Sequence, residues 1–369
     1  MNKSLHIVSF DVPYPPNYGG IIDVFYKIKA LHSLGIKIYL HTFIYNDRKK
    51  AEELNTYCEQ IFYYKRKSSF NSLLSFLPFR LQSRINKDLN KNLKTANCPI
   101  LFEGINTMYP LFKFNLKDSF VRTHNIEHTY FYGLSKSEKN FAKKLFYLLE
   151  GYKLKNFEKN LKKAKGIFTI SPFEQDYFSR CYKNAHYIPA FHEAVKLKPT
   201  KENGNFILYH GDLRVSDNIK AVLFLIDIYK NTSYNFVIAS SNPPEILIKK
   251  TKEFKNISID KIPTQKDLDN LLAKAQIHTL ITFQKTGIKL KLLNTLYKGK
   301  HIIANSEMIE DTGLESVCHL ANTKSAILVK TEALFKKQFT TLETEQRENI
   351  LQAFSPQKSA KKMIDIIFE

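Results

Sequence analysis

Residues 282–305 read T-F-Q-K-T-G-I-K-L-K-L-L-N-T-L-Y-K-G-K-H-I-I-A-N. A strand enters a glycine turn at Gly287, a helix covers Leu290–Lys298, and after Gly299 the chain returns as a strand over His301–Ala304. A strand that comes back through a helix lies parallel to its predecessor, so this stretch predicts a parallel sheet.

The same alternation extends upstream. Strands are expected at Phe206–Tyr209, Tyr234–Ala239, Ile257–Ile259 and His278–Ile281, with helices at Asn218–Tyr229, Pro244–Phe254 and Gln265–Ala275. The polar stretch K-P-T-K-E-N-G-N at 198–205 reads as a linker. Before it lies a comparable series. A strand at Leu5–Phe10 leads through P-Y-P-P-N-Y-G-G into a helix over Ile21–Leu34, stopped by Gly35 and followed by the strand I-K-I-Y-L-H-T-F. Further strands are expected at Ile61–Tyr64, Ile100–Phe102, Phe120–Thr123 and Gly166–Ser171, with a long basic helix from Glu138 to Lys165. The expected class is therefore α/β, with two doubly wound Rossmann-like domains facing across a cleft. The expected boundaries are 1–197, 205–340 and a helical C-terminal segment, 341–369, that packs back across the interface.

The 369 residues are more than one ordinary core accommodates. The net charge of +21 is uneven: residues 1–190 carry 30 Lys and Arg against 15 Asp and Glu, the remainder 26 against 20. The first half is the one expected to meet an anionic partner. Helix-turn-helix, RNP and finger patterns are missing, which places nucleic acid behind other partners. The cysteines, Cys58, Cys98, Cys181 and Cys318, form no C-x-x-C pair, so neither a zinc knuckle nor a disulfide framework is expected, and a reducing cytoplasmic setting is. The N-terminal apolar run is broken by His6 and closed by Asp11, which reads as a strand and not an export signal.

Four features could carry chemistry or binding. Gly19 and Gly20, at the mouth of the first helix, allow a backbone to approach a phosphate, without forming a dinucleotide fingerprint or a P-loop. The amides of Gly287, Ile288 and Lys289 stand at a helix N-terminus, with Lys289 or Lys291 to balance an anion. The run His124-Asn-Ile-Glu-His128 fits the H-x-x-E-H of inverted zinc peptidases, but Phe120–Thr123 reads as a strand, so the two histidines share no helical face and His124 becomes a single cleft histidine. The basic region 63–94 carries Phe70, Leu73, Leu74, Phe76 and Leu77 beside Arg80, Arg84, Lys87, Lys91 and Lys94. It suits either an anionic membrane surface at the inner face or a crossover helix with a solvated lysine face. Asp267-Leu-Asp269 matches a D-x-D pattern but lies in a predicted helix, so no metal site is expected.

Residues 282–305 resemble the G-x-x-x-K-x-x-E-x-x-x-x-G-[KR]-P-V signature of glycosyltransferase family four, enzymes of the GT-B fold. P-P-N-Y-G-G at 15–20, R-T-H-N at 122–125, F-T-I-S-P-F-E at 168–174 and Y-I-P-A at 187–190 are similar to that family's further segments, in order, over most of the chain. The resemblance implies a retaining, metal-independent transferase needing no cofactor, which moves a sugar from a nucleotide-sugar donor to an acceptor hydroxyl of a cell-surface glycan or lipid-linked saccharide. It implies that His124 contacts the transferred sugar, with Glu103 as a second catalytic candidate near the acceptor. Donor contacts would come from Gly19, Gly20, Gly287, Ile288, Lys289, Lys291 and Asn294. The family's paired glutamates correspond here to Thr286 and Asn294. Its diphosphate clamp corresponds to Asp212 and Asn218, for which Arg214 and Lys220 are substitutes. Those replacements keep two alternatives open, a catalytically degenerate GT-B scaffold in a glycan-assembly complex and a nucleotide-sugar epimerase.

Overall fold

The computed structural model describes residues 3–45, 48–67, 75–194, 203–287 and 290–369. Its first sheet contains β1 (Ser4–Val8), β2 (Lys37–Ile44), β3 (Gln60–Lys65), β4 (Ile100–Glu103), β5 (Ser119–Arg122), β6 (Gly166–Thr169) and β7 (Ala185–Tyr187). The spatial order is β3-β2-β1-β4-β5-β6-β7, and every pair is parallel. The second sheet contains β8 (Phe206–His210), β9 (Asn235–Ser240), β10 (Ile257–Lys261), β11 (Ile277–Leu280), β12 (His301–Ala304) and β13 (His319–Leu320). Its order is β10-β9-β8-β11-β12-β13, again all parallel.

Seven helices accompany the first sheet: α1 (Gly19–Ser33), α2 (Phe79–Gln82), α3 (Lys87–Lys94), α4 (Tyr109–Phe114), α5 (Glu127–Ser137), α6 (Phe141–Glu158) and α7 (Pro172–Cys181). With the second come α8 (Ser216–Tyr229), α9 (Glu245–Thr251), α10 (Gln265–Lys274), α11 (Leu290–Lys298), α12 (Ser306–Ile309) and α13 (Lys324–Phe335), then α14 (Thr341–Leu351) and α15 (Pro356–Phe368). Helices on both faces bury strands such as Ile100–Glu103, which is why Ile100–Phe102 reads as an unbroken apolar run. α15 returns to the first domain: Ala360, Met363, Ile364 and Ile367 share a core with Val24, Ile28 and Leu31 of α1.

The order reverses beside β1 in the first sheet and beside β8 in the second. A doubly wound sheet opens a crevice at that reversal, outside the carboxyl ends of its strands. Glu103 closes β4, and His210 closes β8, each at such a point.

Two expectations need correction. The long helix predicted over 138–165 is shorter: Asn140 caps α6 by accepting from the Lys143 amide at 3.0 Å, and beyond Glu158 the chain tightens into a 3₁₀ turn over Lys159–Lys163. The region 63–94 is not one surface segment. Lys87, Lys91 and Lys94 do lie exposed on α3 opposite buried Leu89 and Leu93, as a solvated lysine face would. Arg84 turns inward instead, its planar fork donating to the carbonyls of Phe10 at 2.9 Å and Arg80 at 2.7 Å. Burial pushes its pKa down to about 9. Phe70, Leu73 and Leu74 lie outside the described residues.

Several buried histidines are held neutral by desolvation: His41 and His210 are pushed down to about 3, His192 to about 4, and His278 well below its usual value. In the unfolded chain each titrates near 6.5, so there the unfolded state binds protons that the native state refuses. Stability from these groups is complete above pH 6.5 and is lost as the pH falls below it. The urea midpoint should therefore decline between pH 7.5 and 5.5, before the carboxylates titrate; a midpoint flat over that window contradicts the assignment.

Candidate active site in the interdomain cleft

The first domain ends its central strands on a buried cluster of charges. Asp23 and Lys27 are one turn apart on α1, Glu103 closes β4, Arg122 closes β5, and all four side chains are fully buried. Arg122 Nη2 donates to Asp23 Oδ1 at 2.9 Å and Nε to Oδ2 at 3.3 Å. The Lys27 ammonium donates to Asp23 Oδ2 at 2.9 Å and to both oxygens of Glu103 at 2.7 and 2.8 Å. The remaining guanidinium hydrogens reach the carbonyls of Thr169, Ile188 and Pro189, and the Phe191 amide donates to Asp23 at 2.8 Å. Two acids and two bases cancel, and each finds hydrogen-bond partners, which is the condition for burying charge at tolerable cost.

Burial on its own would raise both carboxyls. Arg122 and then Lys27 outweigh it at Asp23, whose pKa lies far below the usual range. Lys27 and then the hydrogen bond from His124 do the same at Glu103. Both are carboxylates at neutral pH.

His124 Nε2 lies 3.0 Å from Glu103 Oε2. An ionised carboxylate only accepts, so the hydrogen in this bond is on Nε2. Phe10 meets the ring edge-on at 5.6 Å, and the Cδ2 edge turns toward Gly104, which leaves Nδ1 on the opposite side. Asp23, Glu103 and His124 offer ligand atoms within 4.8 Å of one another. The Lys27 ammonium already occupies the space between their carboxylates, so this group does not fit a metal ion.

The second domain closes on this strand end through its glycine turn. Glu174, fully buried at the start of α7, accepts from Thr286 Oγ1 at 2.8 Å and from the Gly287 amide at 2.5 Å. Thr286 Oγ1 in turn accepts from the Ile126 amide at 3.1 Å. Gly287 has φ +72°, and a Cβ there would stand 2.5 Å from Asn125 Oδ1 and 3.0 Å from the His124 carbonyl. Both the left-handed backbone and the close approach require glycine. The Gly287 amide, expected to face a diphosphate, is thus taken by Glu174. Ile288 and Lys289 lie outside the described residues.

The other expected donor contacts are divided. Lys291 Nζ donates to Tyr209 Oη and Asn218 Oδ1, both at 3.2 Å, and so reaches the crevice of the second sheet. Arg214 and Lys220 share no contact. Asp212 chelates Arg214, with Nε to Oδ1 at 2.9 Å and Nη2 to Oδ2 at 2.8 Å, while Lys220 lies over the Phe283 ring at 4.1 Å. The two-position shift of Lys220 along its helix accounts for that departure. Asn294 is half-buried one turn beyond Lys291. Gly19 and Gly20 begin α1 with ordinary helical backbone. A Cβ on Gly20 would strike the Phe10 ring of the same domain at 2.7 Å, so close packing and not positive φ requires that glycine, while one on Gly19 would make only an ordinary contact with Leu290 at 3.9 Å.

His128 packs away from the cleft, with Nδ1 3.2 Å from Glu158 Oε2, and shares no ligand geometry with His124. Asp267 completes a capping box with Thr264, and Asp269 binds Lys298 at 2.8 Å, which accounts for the D-x-D pattern. The sequence singled out neither Asp23 nor Glu174. Asp23 and Lys27 at i and i+4 on the buried face of α1 were the available signal; for Glu174 the Ser171-x-x-Glu174 pattern signalled a helix N-terminus, but its partners across the cleft, Thr286 and Gly287, lie more than 100 residues away.

Replacing Arg122 by Met leaves two buried carboxylates, Asp23 and Glu103, against the single Lys27 ammonium and should cost about 3–5 kcal/mol in urea unfolding, whereas Arg122→Met with Asp23→Leu should recover part of that loss. Equal losses in the single and double variants would contradict the pairing.

No protein-family model matches the chain. An uncharacterised 44.6 kDa protein in the cps region of Klebsiella pneumoniae is 24% identical over 350 residues, covering 90% of this chain and 88% of that protein. Among solved structures, sucrose-phosphate synthase from Thermosynechococcus elongatus superposes with a TM-score of 0.72 at 14% identity, over 99% of this chain and 98% of that one. TarM superposes at 0.70 with 11% identity, over 100% and 99%. A glycosyltransferase from Rickettsia africae superposes at 0.66 with 15% identity, over 99% and 98%. A further TarM structure, from S. aureus, contains UDP and α-GlcNAc-glycerol, and superposes at 0.66 with 12% identity over the whole of both chains. The chain therefore has the two-domain GT-B glycosyltransferase fold, with its charged strand end and its glycine turn on opposite walls of the cleft.

Proposed function

We propose that the protein is a retaining glycosyltransferase that moves a sugar from a nucleotide-sugar donor to an acceptor hydroxyl of a cell-surface or lipid-linked saccharide, without a metal ion. The observation that carries this reading is the Glu103–His124 pair at 3.0 Å, set on one wall of the cleft against Gly287 on the other. The relative in a cps region supports a place in polysaccharide assembly.

Transfer demands stabilisation of a departing diphosphate while an oxocarbenium-like sugar is attacked from the face the phosphate leaves. Lys291, held at the mouth of the second crevice, supplies positive charge there, and the α11 N-terminus adds its dipole. His124 contacts the transferred sugar through Nδ1, its ring orientation held by Glu103. Gly19 and Gly20 bring the start of α1 close to the donor. Asn294 accepts a ribose hydroxyl where a charged glutamate would bind more strongly. Neutralisation of the buried carboxylates by Lys27 and Arg122 leaves the first wall without a cation-seeking charge.

Calorimetric titration with a panel of UDP- and GDP-sugars should find one that binds, and the anomeric signals of the product by NMR should show retention. A folded sample that binds none of them overturns the proposal. His124→Ala leaves Glu103 paired with Lys27, so the fold should survive while kcat falls by about 10²–10⁴-fold, with donor affinity kept. Glu103→Gln should lower kcat less and shift its pH profile, since the ring loses its charged anchor.

A second reading, a scaffold beside an active transferase, is favoured by Thr286 and Asn294 at the carboxylate positions and by the neutralisation of Arg214 by Asp212. It predicts that cells carrying only His124→Ala make normal glycan, while cells lacking the protein do not.

A further inference from the structure

Of eleven large hydrophobic residues exposed among the described ones, five stand on α6 and a sixth is Phe76, while the rest are scattered singly. Phe141, Leu145, Leu148, Leu149 and Tyr152 follow one another at spacings of four, three, one and three. At about 100° per residue they occupy a stripe roughly 100° wide along three turns of helix. Phe141 is 80% exposed, Tyr152 63% and Phe76 100%. The opposite face, with Gly151, Leu154 and Phe157, is buried against the domain. The segment following Phe76 is fastened to α6, because Glu150 accepts from the amides of Phe79 at 2.8 Å and Arg80 at 2.9 Å, and the rings of Phe79 and Phe146 lie 6.0 Å apart.

The charge on this face has one sign. The only carboxylates of α6, Glu150 and Glu158, both point inward and are used there, Glu158 by Tyr177 and His128. Lys144 and Lys155, three turns apart, border one edge of the stripe and are exposed. Exposed Lys139, Lys159 and Lys162 extend the positive charge beyond both ends, and Glu138 beside Lys139 is spent on the amides of Lys139 and Asn140. A stripe of this width without an acidic residue is unusual on a surface that meets only water. No described helix is long and apolar enough to cross a membrane, so the stripe suits contact in the plane of a surface.

We propose that α6 and the Phe76 turn form a docking surface for an anionic lipid bilayer. Phe141, Leu145, Leu149, Tyr152 and Phe76 enter the boundary between headgroups and acyl chains, and the bordering lysines meet lipid phosphates. The lipid face belongs to α6 and not to the lysines of α3, whose helix carries no exposed apolar stripe. α5, which begins directly after the His124 loop, packs along α6. The proposal is independent of the transferase reading, because it concerns a surface outside the cleft and its test involves no turnover.

Co-sedimentation of the full chain with vesicles of phosphatidylcholine plus phosphatidylglycerol, and with phosphatidylcholine alone, tests it at low and high salt. Binding is expected to the acidic vesicles, falling with salt. Phe141→Asp with Leu149→Asp should weaken it by about tenfold or more, while urea unfolding of these exposed positions stays unchanged. Lys87→Glu with Lys91→Glu on α3 should weaken it far less. Wild-type protein indifferent to acidic vesicles overturns the proposal, as does undiminished binding by the α6 variant. A wild-type dimer in light scattering that the α6 variant dissolves also overturns it, since the stripe would then be covered by a second copy.

Discussion

The Asp23–Arg122 ion pair is the contact on which the cleft depends. It joins side chains of α1 and β5, and it satisfies backbone groups at the end of β6 and in the segment Ile188–Phe191. Removing either charge would leave the other in a site without water, so the four elements are held in one arrangement or none. His124 follows Arg122 by two residues, and Phe191 begins the departure toward the second domain. One pair therefore orients both the cleft histidine and the strand of chain that joins the domains.

Lys27 extends that arrangement to the chemistry. Its ammonium spans Asp23 and Glu103, so the carboxylate beneath His124 stays ionised despite full burial. The place of the hydrogen in the His124–Glu103 bond follows from that ionisation. A neutral Glu103 could donate as well as accept and would leave that place undefined; an anion cannot.

Across the cleft, a carboxylate is supplied by an unexpected route. Thr286 stands where a glutamate would be expected from the family resemblance, and Glu174 of the other domain reaches its hydroxyl and the Gly287 amide. This makes the glycine turn part of the contact between domains. Two arginines of the first domain show the same economy: Arg84 binds backbone carbonyls and Arg80 covers Phe131, whereas Lys87, Lys91 and Lys94 remain on the outside. A planar fork that holds several acceptors at once suits the interior, and a strongly hydrated ammonium does not unless it is fully paired, as Lys27 is.

The alternation of strands and helices was legible in the sequence because parallel strands buried on both faces must be apolar and their returns must pass through helices. Strands β1, β2, β4, β5, β6 and β8–β12 lie within a residue or two of their expected places, and His124 at a strand end followed from the same logic. Short elements such as α2, α4, β7 and β13 left no usable periodicity. The separation of α5 from α6 turned on a cap at Asn140 within a lysine-rich stretch. Which carboxylate faces Thr286, which arginine turns inward and which apolar residues stay on the surface were decided only in three dimensions. Each is a pairing between segments far apart in sequence, and local residue order contains no record of such a meeting. Sequence alone determined the period of the fold and the ends of its strands; the tertiary structure chose the partners of its charges, because the cost of burying a charge depends on what stands beside it.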